Sequence, residues 1–254
     1  MLPGITLPDF FLPIMLEGVD STSEEAGRRV RQGAPEGTLV WAQEQSAGRG
    51  RRGRVWLSPP GNLYCSLVVR PTCPASKAVQ LGFVAGLALA EAAEAVLPEA
   101  RTVACKWPND VLVGGRKVAG VLLDASSAES GRCEWVVIGM GINVRWHPGP
   151  EEAQFPATSF AAEGAADFDP ARFLGVLGPL LCDGLVRWRE QGFAPVCHGW
   201  LRRAFGLHQV INVRLHDKLL SGTFTGLEAG GAMNLTCADG LHVVTAGDVV
   251  SVRA

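Results

Sequence analysis

Lys106-Trp-Pro-Asn-Asp110, continued by Val111-Leu-Val-Gly-Gly-Arg-Lys-Val-Ala-Gly120, reads as short apolar strands reversed by the glycine pair Gly114-Gly115. Residues 103–107, 111–113 and 118–124 carry the β-branched, apolar character of strands, and paired glycines form a tight hairpin turn. Lysines on paired neighbouring strands can share a face. Lys106 ends the first strand and Lys117 opens the return strand, so two cations can stand over one sheet surface, an arrangement suited to a polyphosphate. Taken singly, each lysine reads as a solvated surface residue. Pro108 marks a strand end or bulge, where side chains are re-aimed. Asn109 and Asp110 follow in a turn-like exit, where they orient ligand hydroxyls or a magnesium ion, or simply hold the turn.

Upstream, residues 20–32 read as a helix that Ser21 or Thr22 can cap, with Glu24 and Glu25 in the first turn, where the helix dipole favours anions. Residues 39–45 read as a strand. Residues 63–70 form a β-like run ended at residues 71–74, and the Ala-rich residues 78–97 have helical periodicity up to Pro98.

Downstream, residues 134–138 read as a strand entering Gly139-Met-Gly-Ile-Asn143. That segment lacks the third glycine and following helix of a dinucleotide fingerprint, so a Rossmann reading is rejected; Asn143 by itself reads as a turn residue. Residues 148–170 form an irregular excursion, and residues 171–191 and 195–205 form two helices. After Gly206 come five short alternating strands, at residues 210–215, 219–227, 232–237, 241–245 and 249–253. They suggest a small all-β barrel. The expected organisation is an α+β domain over residues 1–205 and a barrel over residues 206–254.

Gly48-Arg-Gly-Arg-Arg-Gly-Arg54 places four arginines and three glycines in seven residues. Glycines disfavour a helix or strand interior and let backbone N–H groups approach a ligand. Arginines supply bidentate donors for carboxylate or phosphate, and four of them repel one another until an anion arrives. The expectation is a mobile loop that orders around an anionic ligand. A solvated basic turn and an RNA-binding segment are the other readings.

Composition narrows the class. With 47% hydrophobic and 19% charged residues the chain can bury a full core, and a net charge of −2 offers no global attraction to nucleic acid or anionic membranes. Seven cysteines without a CxxC pair and five scattered histidines argue against a zinc site and a disulfide framework, leaving reduced thiols of a cytoplasmic protein. No segment reads as a membrane span, since the most apolar, residues 81–97, is interrupted by Glu91 and Glu94. No signal peptide is recognised, and residues 1–15, with Pro3, Pro8 and Pro13, read as an extended arm.

Taken in order, Asp20-Ser-Thr22, Gln45 ahead of the arginine–glycine loop, Trp56, Ser58-Pro59, Asn62-Leu63-Tyr64, Lys106-Trp-Pro-Asn-Asp110, Arg116-Lys-Val-Ala-Gly120 and Gly141-Ile-Asn-Val144 resemble the bacterial biotin–protein ligases over nearly the whole chain. The resemblance implies a catalytic domain related to class II aminoacyl-tRNA synthetases, followed by an SH3-like barrel. It implies ATP and biotin as substrates with Mg2+, a biotinoyl-AMP intermediate, and a biotin carboxyl carrier protein as acceptor.

By the same resemblance, Ser21, Thr22, Ser23, Gln45, Arg49, Gly50, Arg51 and Lys117 serve biotin, with Lys117 and Arg51 catalytic. Arg52, Arg54, Trp56, Lys106, Asn109, Asn143 and Arg253 serve the nucleotide. Ser23 departs from the family's usual Asn. Repressor-type members carry a helix-turn-helix, whereas only about twenty residues precede the Ser-Thr motif here; the expectation is ligase only, with no specific DNA and no membrane partner. A homodimer and the metal ligands are left open.

Two rivals are weighed. A lipoate or octanoate ligase of the same superfamily lacks the combined arginine loop and Lys106-to-Asp110 motif. An RNA-binding barrel needs an aromatic platform, and residues 206–254 hold only Phe224.

Overall fold

Side-chain alternation divides the strands of this sequence between two faces of one seven-stranded sheet. The computed structural model describes residues 5–99, 101–126 and 131–252. In chain order the first part runs β1 (Leu12–Val19), α1 (Thr22–Arg31), β2 (Thr38–Gln45), β3 (Leu63–Val69), β4 (Cys73–Pro74), α2 (Ala75–Ala78) and α3 (Gln80–Val96). It continues with β5 (Val103–Lys106), β6 (Asp110–Val113), β7 (Arg116–Ala125), β8 (Arg132–Cys133), β9 (Val136–Ile142), α4 (Pro170–Gln191) and α5 (Ala194–Leu201). The last part is β10 (Val210–Arg214), β11 (Leu219–Leu227), β12 (Met233–Cys237), β13 (Gly240–Val244) and β14 (Asp248–Val252).

The large sheet has the order β1-β2-β3-β9-β7-β6-β5, and β10 to β14 form a second, five-stranded antiparallel sheet. On one face of the large sheet lie α3, α4 and α5, over the main core of Leu39, Leu67, Ile138 and Ile142. On the other face α1 covers only Val40, Val68 and Val137, through its own Ala26 and Val30. Among the described residues, the rest of that face carries no α-helix. This is the α+β arrangement expected, with the β-rich part at the C-terminal end.

Several expectations change. Residues 12–15 belong to a strand, not an arm: β1 pairs parallel to β2, with Pro13 opposite Leu39. Proline is tolerated there because β1 is the sheet edge. Ser21 occupies the N-cap position of α1, but its side chain makes no capping bond. Thr22 does not cap either; its N–H and hydroxyl both turn to the Gln45 Oε1, at 2.8 and 3.2 Å.

The segment from Ala75 to Val96 is in fact long and apolar enough to cross a membrane. It is the core helix, with Leu81, Ala85, Leu89 and Ala92 fully buried. The helix expected over residues 195–205 stops at Leu201, because the following backbone leaves to bond Cys105 through Arg203 and Phe205.

The barrel is docked on the first part of the chain through the turn between β11 and β12. Gly231 lies against the Phe83 ring, where a Cβ would come within 2.5 Å, and its carbonyl accepts the Trp107 indole N–H at 3.0 Å. Gln80 donates to the Ala229 carbonyl and accepts from Trp188. The buried barrel residues Ile211, Phe224 and Met233 are continuous with the main core.

Candidate active site

The open half of the α1 face is floored by glycine. In β9, residues 139 and 141 point to the same side, by the two-residue period of a strand. Gly120 of β7 stands opposite Gly141. A Cβ at Gly139 would meet the Ser23 Oγ at 2.3 Å, and one at Gly141 would meet the Trp56 indole at 2.5 Å. The missing side chains let α1 and Trp56 approach the sheet and leave a cavity of about 500 Å³, a usual size for a small-molecule site.

At one end hydroxyl and amide groups converge. Gln45 accepts from Thr22 and donates to the Ser58 Oγ at 2.8 Å. Behind them Ser66 of β3 bonds the Thr22 Oγ1 at 2.8 Å and the Ser23 Oγ at 3.1 Å. Each hydroxyl is held by a buried neighbour, so the end is preorganised. Ser21, Thr22 and Ser23 all line the cavity.

At the other end stand the cations. Lys106 and Lys117 come together, but from β5 and β7 with β6 between them and not from paired strands, and they converge on a carboxylate of β6: Asp110 lies 2.8 Å from the Lys106 Nζ and 2.6 Å from the Lys117 Nζ. Burial pushes the Asp110 carboxyl up, but the Lys117 and Lys106 charges and hydrogen bonds outweigh it, leaving the pKa at about 2. Asp110 is thus an anion that gathers two lysines. Lys117 also lies 5.0 Å over the Trp56 ring, and Lys106 4.7 Å over Phe155.

The arginine loop closes this end with a single 3₁₀ turn over Arg51–Gly53, in which Arg52 takes a left-handed φ of 57°. Its arginines find anions within the protein. Asp248, the first residue of β14, accepts from Arg51 at 2.9 Å, from Arg54 at 2.6 Å and from Arg52 at 3.3 Å. Arg49 pairs with Glu24 of α1. Arg51 also reaches the Asn109 Oδ1 at 3.3 Å, while Asn109 donates to the Val121 carbonyl at 2.6 Å. Burial lowers the Arg51 pKa and Arg52 and Arg54 act the same way, while Asp248 and Asp110 oppose them.

A cavity with a hydrogen-bonding end, a cationic end and a basic roof suits joining an acid to a nucleotide. The model of the biotin/lipoate A/B protein ligase family matches residues 17–143. A biotin–[acetyl-CoA-carboxylase] ligase of Paracoccus denitrificans is 40% identical over 242 residues, 92% of this chain and 98% of that protein. The chain belongs to that family. It is also 35% identical to the bifunctional ligase/repressor BirA of Bacillus subtilis, over 91% of this chain and 71% of that one. Among solved structures, the biotin protein ligase of Aquifex aeolicus in complex with biotin and ATP superposes with a TM-score of 0.79 at 30% identity, covering 95% of this chain and 98% of that one.

Of the residues anticipated for this ligase, Ser21, Thr22, Ser23, Gln45, Arg49, Gly50, Arg51, Arg54, Trp56, Lys106, Asn109, Lys117 and Asn143 line the cavity. Arg52 does not; it is exposed and reaches only the rim, through Asp248. Arg253 lies outside the described residues. Asn143 is buried and donates to the Thr158 carbonyl at 3.0 Å, so it also ties down residues 156–158 beside Lys117.

Sequence reading missed Asp248, Ser66 and the glycine floor, and assigned Asp110 no more than a turn or ligand-orienting role. The floor was detectable, because glycine at alternate positions of one strand clears one face. Asp248 left no local signal.

The carboxylates do not form a magnesium site. Among the described residues lining the cavity these are Asp110, Glu152 and Asp248. Asp110 is taken by two lysines, Asp248 by three arginines, and Glu152 by the Gly149 N–H. Among the described residues lining the cavity, every carboxylate already has a cation or N–H partner.

Proposed function

We propose that this ligase activates biotin with ATP and passes it to a lysine of a biotin carboxyl carrier protein. The observation that carries the reading is the pairing of two unlike ends in one cavity. The Thr22, Gln45 and Ser23 end offers both donors and acceptors, as a cyclic urea requires. Leu57, Val121 and Leu122 suit an aliphatic chain. The Lys117, Lys106 and Arg51 end suits a carboxylate meeting a triphosphate.

The carboxylate oxygen attacks the α-phosphorus of ATP, the bond to the β-phosphate oxygen breaks, and pyrophosphate leaves. Lys117 stabilises the charge that builds on the phosphoryl oxygens, and Lys106 and the loop arginines steady the leaving phosphates. The acceptor amine then attacks the acyl carbon, AMP leaves, and a proton goes to solvent. Mg2+ carried by ATP would offset phosphate charge, with Lys106, Lys117 and the loop arginines supplying the protein's own cations. Arg51 and its loop hold the labile anhydride away from water. Among the described residues the buried indole N–H of Trp56 meets no acceptor, leaving a donor for the bound intermediate. Free thiols and the need for ATP favour a cytoplasmic setting.

Within this chain, residues 12–19 are spent on a sheet strand, and no repressor role is proposed. The test is pyrophosphate release and biotin transfer to a carrier domain, with lipoate and octanoate as alternative acids. Transfer of biotin alone is expected; preference for lipoate or octanoate would overturn the substrate. Operator binding that survives physiological salt would overturn the ligase-only reading.

A further inference from the structure

The barrel carries a second cluster of ligating side chains, in Cys237-Ala-Asp-Gly-Leu-His242. Spacing alone argued against zinc, because no CxxC pair exists; the hairpin between β12 and β13 changes that. Cys237 pairs with Gly240, and His242 with Leu235. Cys237 and His242 are therefore diagonal neighbours on one face, two residues apart along the ladder. Asp239, in the turn, closes over them, with its Oδ1 2.8 Å from the His242 Nε2. The sulfur, a carboxylate oxygen and an imidazole nitrogen all lie within 4.8 Å of one another. On the neighbouring strand Gly222 makes room for the sulfur, since a Cβ there would stand 2.8 Å from it.

We propose that Cys237, Asp239 and His242 bind one borderline-soft divalent cation, zinc by preference, at the open end of the barrel. The Asp239–His242 hydrogen bond holds a carboxylate and an imidazole side by side within reach of the Cys237 sulfur. Tetrahedral zinc takes thiolate, imidazole and carboxylate at about 2.0–2.3 Å, which requires Asp239 and His242 to turn from each other toward a shared centre, and water can complete the shell. Mixed sulfur and nitrogen donors disfavour magnesium and calcium. On binding, the thiol proton passes to solvent, the imidazole proton is carried on Nδ1 so that Nε2 is free, and the sulfur–metal and nitrogen–metal bonds form with no change of oxidation state. The ion would pin the β12–β13 hairpin, whose outer strand is an edge of the small sheet.

The test titrates the reduced full-length chain with Co2+ as a spectroscopic probe. One equivalent should develop a thiolate-to-cobalt charge-transfer band, and one equivalent of Zn2+ should bleach it. Cys237→Ser and His242→Ala should lose the band while keeping the parent circular dichroism and biotin transfer. Zinc should raise the melting temperature of the parent and of neither variant. A parent without the band, or a band that survives Cys237→Ser, would overturn the site.

Discussion

Asp248 and Arg51 meet at 2.9 Å across 197 positions of sequence. The carboxylate of the last barrel strand holds the arginine loop. Asp248→Asn should free that loop. The arginines are partly exposed, so the expected local loss is modest, about 1.4 kcal/mol, which is about tenfold in the rate of tryptic cleavage at Arg51, Arg52 and Arg54. Biotin with ATP should restore protection, because phosphate replaces the carboxylate. Equal cleavage of parent and variant without ligand would show that Asp248 does not order the loop.

Arg51→Gly should loosen retention of the adenylate. Arg51 joins Asp248, the Gly247 carbonyl and Asn109, so its loss opens the roof at three points. Activated biotin should escape and label exposed lysines of bystander proteins, read by blotting. Labelling confined to the carrier would remove Arg51 from this role.

Lys117→Ala should lose adenylation by about a hundredfold or more, since one charge-assisted contact in a closed site is worth roughly 3 kcal/mol. Lys117→Arg should recover little, because a planar fork does not replace a compact ammonium. Transfer from added biotinoyl-AMP should suffer less. Near-normal pyrophosphate release by a folded Lys117→Ala protein would shift the burden to Lys106.

Asp110 should govern part of the acid limb of stability. Its folded pKa, about 2, lies below the usual 3.8, so the unfolded chain binds the proton more readily. The contribution, on the order of 2 kcal/mol, is fully present above the unfolded value and is lost as pH falls from about 4 through 2. Stability curves of the parent and Asp110→Asn, measured in urea, should converge over that window. A constant gap would mean that the two lysines do not depress this carboxyl.

Gly139→Ala should strike the biotin end selectively. The new methyl would stand 2.3 Å from the Ser23 Oγ, and the Ser23–Ser66–Thr22 relay must move. Overpacking of this kind costs about 1–3 kcal/mol. Calorimetry should show biotin affinity falling by at least about tenfold, with a smaller effect on ATP. Unchanged biotin affinity would mean that the glycine floor is not part of the site.

How far the site was legible follows from where its determinants lie. Strand reading puts Lys106 and Lys117 on paired neighbouring strands; they stand on β5 and β7 with β6 between them, and Asp110 of β6 brings them together. Thr22 and Gln45 required the resemblance, because helix and strand patterns do not say which ends meet. Asp248 was hidden by distance: it reaches the loop only through docking of the barrel. Ser66 was hidden by the apolar run of β3, in which one hydroxyl changes the pattern little. β1 was masked by Pro13, a residue that argues against strands except at an edge.

Gly231, wedged against Phe83 and bonded to Trp107, bears on how fast the site can respond. With the barrel anchored there, exchanging Asp248 for a phosphate needs no swing of one domain on another, a motion of microseconds to milliseconds. Rotation of a few arginine side chains is enough, and that takes picoseconds to nanoseconds. On that footing, substrate entry would wait on the rotamers of the loop arginines and not on a movement of the barrel.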